Sequence, residues 1–172
     1  MRKFLLPLLF LFLFVFESIF MQFLPGTIFQ REWILAPHFL IAAILFFTIY
    51  GSERRGILYG LLFGLLFDVV YTEIIGIYLF LYPFVAYLVT KMMKVLQTNL
   101  FLASLMVVTG VALVELGSYE MNMLIHITSM NFITFVTIRL FPTLILNAIF
   151  ILLAAFPLKR YFENFAKNLR AE

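Results

Sequence analysis

The sequence predicts an all-α membrane protein, a polytopic bundle of about six transmembrane helices. Hydrophobic residues make up 65% of the 172 residues and charged residues only 12%, which is more apolar surface than a soluble domain of this size can bury. The apolar stretches are continuous, with none of the alternation with polar residues that is typical of a β-barrel. Helices are then expected, because they satisfy their own backbone hydrogen bonds in lipid.

The first apolar run extends from Phe4 to about Leu24 and contains Glu17. It follows a basic start, but no small-residue cleavage site comes after it, so an uncleaved first span is predicted. A turn at Pro25–Gly26 is predicted next, then Trp33 as an interfacial anchor. The later runs cover 34–50, 56–71, 77–90, 99–117 and 132–157, with a polar stretch over 118–131. The third and fourth are the shortest, and two interpretations stay open: six full spans, or a hairpin that stops short of the far surface.

The distribution of charge predicts the orientation. With six spans, one side of the membrane receives ten basic residues, whereas the other receives only Arg31. The ten are Arg2, Lys3, Arg54, Arg55, Lys91, Lys94, Lys159, Arg160, Lys167 and Arg170. Positive residues favour the cytoplasmic side, so both termini are predicted to be cytoplasmic in a multi-pass protein of the cell membrane. The net charge of +3 then reflects topology and gives no sign of nucleic-acid binding. Glu32, Glu73 and Glu120 fall on the outer side.

Two units are predicted along the chain: a transmembrane bundle over 1–157 and an amphipathic basic cytoplasmic tail over 158–172. In the tail, apolar residues recur at helical spacing among basic ones. Both a helix lying on the inner membrane surface and a solvated basic end fit this pattern.

Gly56, Gly60 and Gly64 are spaced by four, and Asp68 is the next step on the same helix ridge. A ridge of small residues lets another helix approach closely in the membrane. We therefore predict a close helix contact along this ridge, with a carboxylate at its end.

Counting helical rises places Asp68, Arg139 and Glu17 in the outer half of the hydrocarbon core. A lone charge there is costly, so an intramembrane polar cluster of these three residues is predicted. A buried ion pair that fixes helix order is favoured over a polar switch or a substrate site.

The sequence predicts no catalytic, cofactor-binding or metal site. It contains no cysteine, and its two histidines, His38 and His126, lie far apart without a metal-ligand motif. No phosphate-binding loop and no nucleophile elbow is present.

The third and fourth spans contain Gly56, Gly60, Gly64, Asp68, Gly76, Leu79, Tyr82, Pro83, Tyr87 and Leu88, and the last span contains Arg139, Pro142 and Asn147. With these residues the chain resembles, over essentially its whole length, the rod shape-determining protein family MreD, of the Gram-positive type. Gly76, Tyr82, Pro83 and Tyr87 then join the glycine ridge as candidates for helix packing or partner contact.

The resemblance implies a non-enzymatic membrane scaffold of the cell-wall elongation machinery. The expected partners are the bitopic protein MreC and, indirectly, MreB, RodZ, RodA and a class B penicillin-binding protein. The family is also similar in fold to the substrate-binding subunits of energy-coupling-factor transporters, an analogy that carries no function by itself. The alternative function is a small-molecule, vitamin-type substrate-binding subunit of a membrane transporter, with the polar cluster as its site.

Overall fold

A computed structural model describes residues 2–23, 33–72, 74–96 and 99–170, and the regular elements in these ranges are all helical. The predicted turn at Pro25–Gly26 and the residues Arg31, Glu32 and Glu73 lie outside them. The elements are α1 (Arg2–Phe23), α2 (Phe39–Tyr50), α3 (Glu53–Tyr71), α4 (Ile77–Val95), α5 (Leu100–Leu124), α6 (Phe132–Thr134), a π-helical segment (Phe135–Leu140) and α7 (Phe141–Arg170).

Three stretches of helix are long and apolar enough to cross a membrane. They are Leu5–Phe23, Leu100–Leu124 and Phe132–Asn168, the last of which joins α6, the π segment and α7 into one rod. The all-α membrane class is thus supported, with three such helices among the described residues and not six.

The second apolar run differs from its prediction, because only part of it is helical. Residues 33–38 have no regular secondary structure, and helix α2 begins at Phe39 and has 12 residues. A helix of this length is about 18 Å long, which is too short to cross a core of about 30 Å. Every residue of α2 except Ile49 is buried, so this short helix forms the centre of the bundle.

Helices α3 and α4 pack against each other as an antiparallel hairpin. Each has 19 residues and is therefore about 28 Å long. Helix α3 ends and helix α4 begins at the predicted residues. At the opposite end of the hairpin, where Arg54, Arg55, Lys91 and Lys94 lie, each helix is longer than predicted by about one turn.

Helix α5 continues to Leu124, seven residues past the predicted end of the fifth run at Gly117. Two residues of the predicted polar stretch bond back to their own helix: Ser118 Oγ donates to the Glu115 carbonyl, and Asn122 Nδ2 donates to the Ser118 carbonyl. They therefore continue the helix instead of ending it.

The last rod also runs further than the sixth apolar run, since α7 passes through Pro157 and continues to Arg170. Phe162, which lies in the predicted tail, is fully buried and packs on Phe10 and Phe47. The division into two units at residue 157 stays a prediction.

Candidate functional site

The glycine ridge of α3 lies inside the bundle. A Cβ atom on Gly56 would come within 2.7 Å of Thr48 Cγ2 on α2. On Gly60 it would lie 3.2 Å from the backbone nitrogen of Pro83 on α4, and on Gly64 it would overlap the Tyr78 carbonyl oxygen. The absence of side chains therefore allows α3 to approach two neighbouring helices closely. Contact between any of these glycines and a partner protein stays a prediction.

Asp68 ends this ridge and binds the start of α4. One carboxylate oxygen accepts hydrogen bonds from the backbone N–H groups of Gly76 and Leu79, at 2.8 and 2.9 Å, and the other from Tyr78 at 2.9 Å. The first N–H groups of a helix have no partner within that helix, and they attract negative charge. Asp68 is fully buried and supplies acceptors for two of these groups and for the turn residue Gly76 before them.

The turn between α3 and α4 depends on Gly76, whose φ angle is +129°. Residues with a side chain rarely adopt this conformation. The turn brings the N–H groups of α4 back to a carboxylate one helix earlier in the chain. Thr72 donates its hydroxyl to the Asp68 carbonyl at 2.8 Å and completes the connection.

Arg139 binds Glu115, a residue that the sequence analysis did not single out. Arg139 Nε donates to Glu115 Oε2 at 2.8 Å, and Nη2 donates to Oε1 at 3.3 Å. His38 Nε2 lies 2.6 Å from the same Oε1. Glu115 is fully buried, His38 is nearly so, and the Arg139 side chain is 34% exposed. We call these three residues the polar triad.

The predicted pairing of Asp68 with Arg139 is therefore wrong. Each has a different set of partners: Asp68 has backbone N–H groups, and Arg139 has the Glu115 carboxylate. The physical reason is that an intramembrane carboxylate needs donors, and a helix N-terminus provides them as well as a cation does. Counting the helical rise per residue predicts a similar depth in the membrane for both residues. It cannot show which residues of neighbouring helices each side chain contacts.

Glu17, the third member of the predicted cluster, lies at the start of α2. Its Oε1 accepts from the backbone N–H of Leu40 at 3.3 Å, while its Oε2 is buried without a hydrogen bond in the described part of the chain. Glu17 and Asp68 thus have related positions, each next to the N-terminal end of a following helix.

The irregular segment 33–38 is held by the last rod. Asn147 accepts from the His38 backbone N–H at 2.8 Å and donates to the Ala36 carbonyl at 2.9 Å. Thr143 Oγ1 accepts from the Ala36 N–H at 3.1 Å. Backbone groups outside a helix must find such partners inside a membrane protein. These bonds also fix His38 at the position where its ring meets Glu115.

Pro142 explains one further bond to this segment. Proline has no N–H group, so Pro142 cannot donate to the carbonyl four residues before it, that of Ile138. The Ile138 carbonyl instead accepts from the backbone N–H of Ile34 at 2.9 Å. In the adjoining π segment, the N–H of Phe141 donates to Val136, five residues earlier. This irregular stretch carries Arg139, and π-helical turns are often found at functional positions.

The remaining predicted residues lie on different sides of α4. Tyr82 is fully buried, and its hydroxyl has no hydrogen bond among the described residues. Pro83 lies against Gly60. Tyr87 is 46% exposed, and the Lys91 ammonium group lies 5.2 Å from the centre of its ring. Tyr82 and Tyr87 therefore do not share one surface.

A cavity of about 340 Å³ lies beside Arg139, between the end of α5 and residues 127–130. Ser118, Asn122 and Thr128 contribute polar groups to its wall, and Tyr119 and Phe135 contribute stacked rings 4.1 Å apart. Within the described ranges, no group of three or more His, Cys, Asp or Glu side chains is placed to hold a metal ion.

The chain matches known proteins over nearly its full length. The family model of the rod shape-determining protein MreD matches residues 2–165. The chain is 35% identical over 172 residues to the rod shape-determining protein MreD of Bacillus subtilis (strain 168), and the matched region covers 100% of both chains. It is 30% identical over 128 residues to the cell shape-determining protein MreD of Streptococcus pneumoniae (strain ATCC BAA-255 / R6), covering 74% of this chain and 78% of that one.

No solved structure matches the chain significantly, so the expected likeness to substrate-binding subunits of energy-coupling-factor transporters is unsupported. The resemblance to the MreD family is confirmed by the family model and by both relatives. This chain belongs to the MreD family of cell shape-determining proteins.

Proposed function

We propose that this protein is a non-enzymatic scaffold of the bacterial cell-wall elongation machinery. It maintains rod shape by binding MreC and by helping to position peptidoglycan synthases. One observation carries the proposal: two of the buried charged groups near the outer end of the bundle, Glu115 and Asp68, are engaged by the chain itself. Glu115 is bound by His38 and Arg139, and Asp68 is bound by the start of α4. Such groups stabilise an architecture and are poorly placed to perform chemistry on a substrate.

The topology we propose has six crossings with both termini in the cytoplasm. The irregular segment 33–38 and α2 together make the second crossing, because the segment adds its own length to a helix that alone is about 18 Å long. Reporter fusions after Lys94 and at the C-terminus should both report the cytoplasm. An outside signal at either position would contradict this topology.

Lateral contact with MreC requires an outward surface. The glycine ridge is buried against α2 and α4, so it does not provide one. The outward apolar side of α3 consists of Leu58, Leu61, Leu62, Leu65 and Val69. Similar outward residues lie on α1 and α7. RodZ, MreB, RodA and a class B penicillin-binding protein would then be reached through MreC.

A crosslinking scan in the native membrane tests this proposal. A photoreactive residue is placed at the outward positions Leu11, Leu62 and Leu152, with the buried positions Ala43 and Val85 as controls. We expect at least one outward position to crosslink to MreC while both buried positions crosslink only within the chain. The proposal fails if MreC is captured from none of the three outward sites while the protein supports rod shape.

A second candidate is a vitamin-type substrate-binding subunit of a transporter, and the cavity beside Arg139 is the observation that favours it. Purification in mild detergent separates the two candidates. Copurification of a coupling ATPase or a bound vitamin would favour transport, whereas copurification of MreC and wall synthases would favour the scaffold.

A further inference from the structure

A groove separates α1 from α7 near the chain termini. The Cα atoms of the two helices stay more than 8 Å apart throughout the described residues. The buried rings of Phe10 and Phe162, whose centres are 6.3 Å apart, connect the two helices beneath it. One part of the groove has a volume of about 620 Å³ and is almost entirely apolar. Its walls are Leu5, Leu8, Leu9, Phe12, Pro157, Leu158 and Tyr161.

Polar side chains enter the wall of the groove toward the end of α7, and we call this part the polar end. A second cavity of about 270 Å³ lies here and adjoins the first, because Leu5 and Tyr161 line both. It is lined in addition by Asn164 and Asn168, whose side-chain amides are both donors and acceptors. The wall of the groove is therefore apolar at one end and carries two side-chain amides at the other.

Two basic residues of α7 lie beside the polar end. Arg160 and Lys167 are both exposed and lie four residues before and three residues after Asn164, which places them on neighbouring positions of the helix surface. Lys159 is paired with Glu163 at 3.7 Å, but none of the ion pairs of the described residues involves Arg160 or Lys167. The polar end is thus complementary to a negative charge.

We propose that this groove binds one anionic phospholipid. Its acyl chain lies between α1 and α7 along Leu8 and Phe12, and its phosphate lies at Asn164 and Asn168 among the basic residues. Basic clusters next to a membrane span attract anionic lipids of the cytoplasmic leaflet. Only the choice of leaflet rests on the topology proposed above.

The change in polarity favours a lipid over a protein helix as the occupant. A transmembrane helix of a partner or of a second copy would offer an apolar side chain to the two amides, which would lose their hydrogen bonds to water. A phospholipid instead brings acceptor oxygens to the same place as its charge. The bound lipid would fasten α1 to α7, two helices that otherwise meet only through side chains.

The proposal is tested on the full chain, purified and placed in nanodiscs of phosphatidylcholine with titrated phosphatidylglycerol, with retained lipid counted by native mass spectrometry after detergent extraction. Leu8→Trp fills the groove and Leu152→Trp is the matched control, since both residues are highly exposed and Leu152 lies on an outward surface away from the groove. A double variant, Asn164→Leu with Asn168→Leu, removes the polar end without adding bulk at Leu8.

We expect the wild type and Leu152→Trp to retain phosphatidylglycerol and to release phosphatidylcholine. Leu8→Trp and the double asparagine variant should each bind phosphatidylglycerol at least about tenfold more weakly. Equal retention of the two lipids by the wild type would overturn the proposal, as would equal retention by Leu8→Trp and Leu152→Trp. A photoreactive residue at Leu8 that captures another protein or a second copy instead of lipid would also overturn it. None of these readouts depends on MreC, so they test the lipid proposal independently of the scaffold proposal.

Discussion

The α3–α4 hairpin and the polar triad solve the same problem in different ways. Each contains a fully buried carboxylate, Asp68 in the hairpin and Glu115 in the triad. The groups that bind Asp68 are backbone N–H groups no more than 11 residues later in the chain. The groups that bind Glu115 come from residues 77 positions before it and 24 positions after it.

The hairpin is therefore a local unit, whereas the triad forms only when the bundle is assembled. Two helices and one turn are enough to satisfy Asp68. The triad needs α5, the π segment and the start of α2 in place together, and it also needs Asn147 to hold the backbone of His38. Disturbing the triad should therefore affect the whole bundle, whereas disturbing the hairpin should act on its own contact.

The largest effect is expected from Arg139→Ala. It leaves Glu115 charged and buried with only His38 as a partner, and breaking a buried pair costs about 3–5 kcal/mol. Folded yield and thermal stability in detergent should fall strongly. Arg54→Ala is the control, because it also removes an arginine but from an exposed position. Equal stability of the two variants would show that the triad does not hold the bundle together.

A smaller effect is expected from Gly64→Ala, which acts on the hairpin. The added methyl group would overlap the Tyr78 carbonyl oxygen, a backbone atom that cannot turn away. Overpacking of this kind costs about 1–3 kcal/mol. In Gly117→Ala the nearest atom is instead Leu81 Cδ2 at 2.6 Å, the end of a flexible side chain. Thermal melting should show the greater loss in Gly64→Ala, and the opposite order would mean that α3 and α4 are further apart.

A comparable or smaller loss, about 1–2 kcal/mol, is expected for Asp68→Asn. The amide keeps one acceptor oxygen but turns an NH₂ group toward N–H donors that the carboxylate satisfied. Asp68→Glu is a useful comparison, since it keeps the charge and changes only the length of the side chain. Proteolysis at the turn around Gly76 should increase in Asp68→Asn, and unchanged protection there would contradict the capping role.

These two regions also differ in how much of them could be predicted from the sequence. The glycine ridge and its terminal aspartate appear at a spacing of four within one helix, so the sequence predicts a close contact there. The partner of that contact, the backbone of Tyr78 and Pro83, follows in the next helix. Local spacing is enough to indicate such a unit, and the general class of fold follows from composition.

The triad could not be assembled in this way, because its three residues are far apart in the chain. Glu115 carried one signal that was missed, a carboxylate within an apolar run, which should have made it a candidate partner for Arg139. The irregular segment before α2 could not be predicted for a different reason. Its residues are as apolar as those of a membrane-spanning helix. The hydrogen bonds of its backbone are made with Thr143 and Asn147, more than 100 positions later in the chain.

The separation of the two regions is tested most directly by double-mutant cycles on unfolding in detergent. For Glu115→Gln with Arg139→Gln, the two residues are in contact, and we expect the double variant to recover part of the summed loss, with a coupling of at least about 1 kcal/mol. For Asp68→Asn with Arg139→Gln, we expect additivity within about 0.5 kcal/mol, because the two residues belong to different networks. Coupling between Asp68 and Arg139, together with additivity between Glu115 and Arg139, would contradict the arrangement described for this bundle.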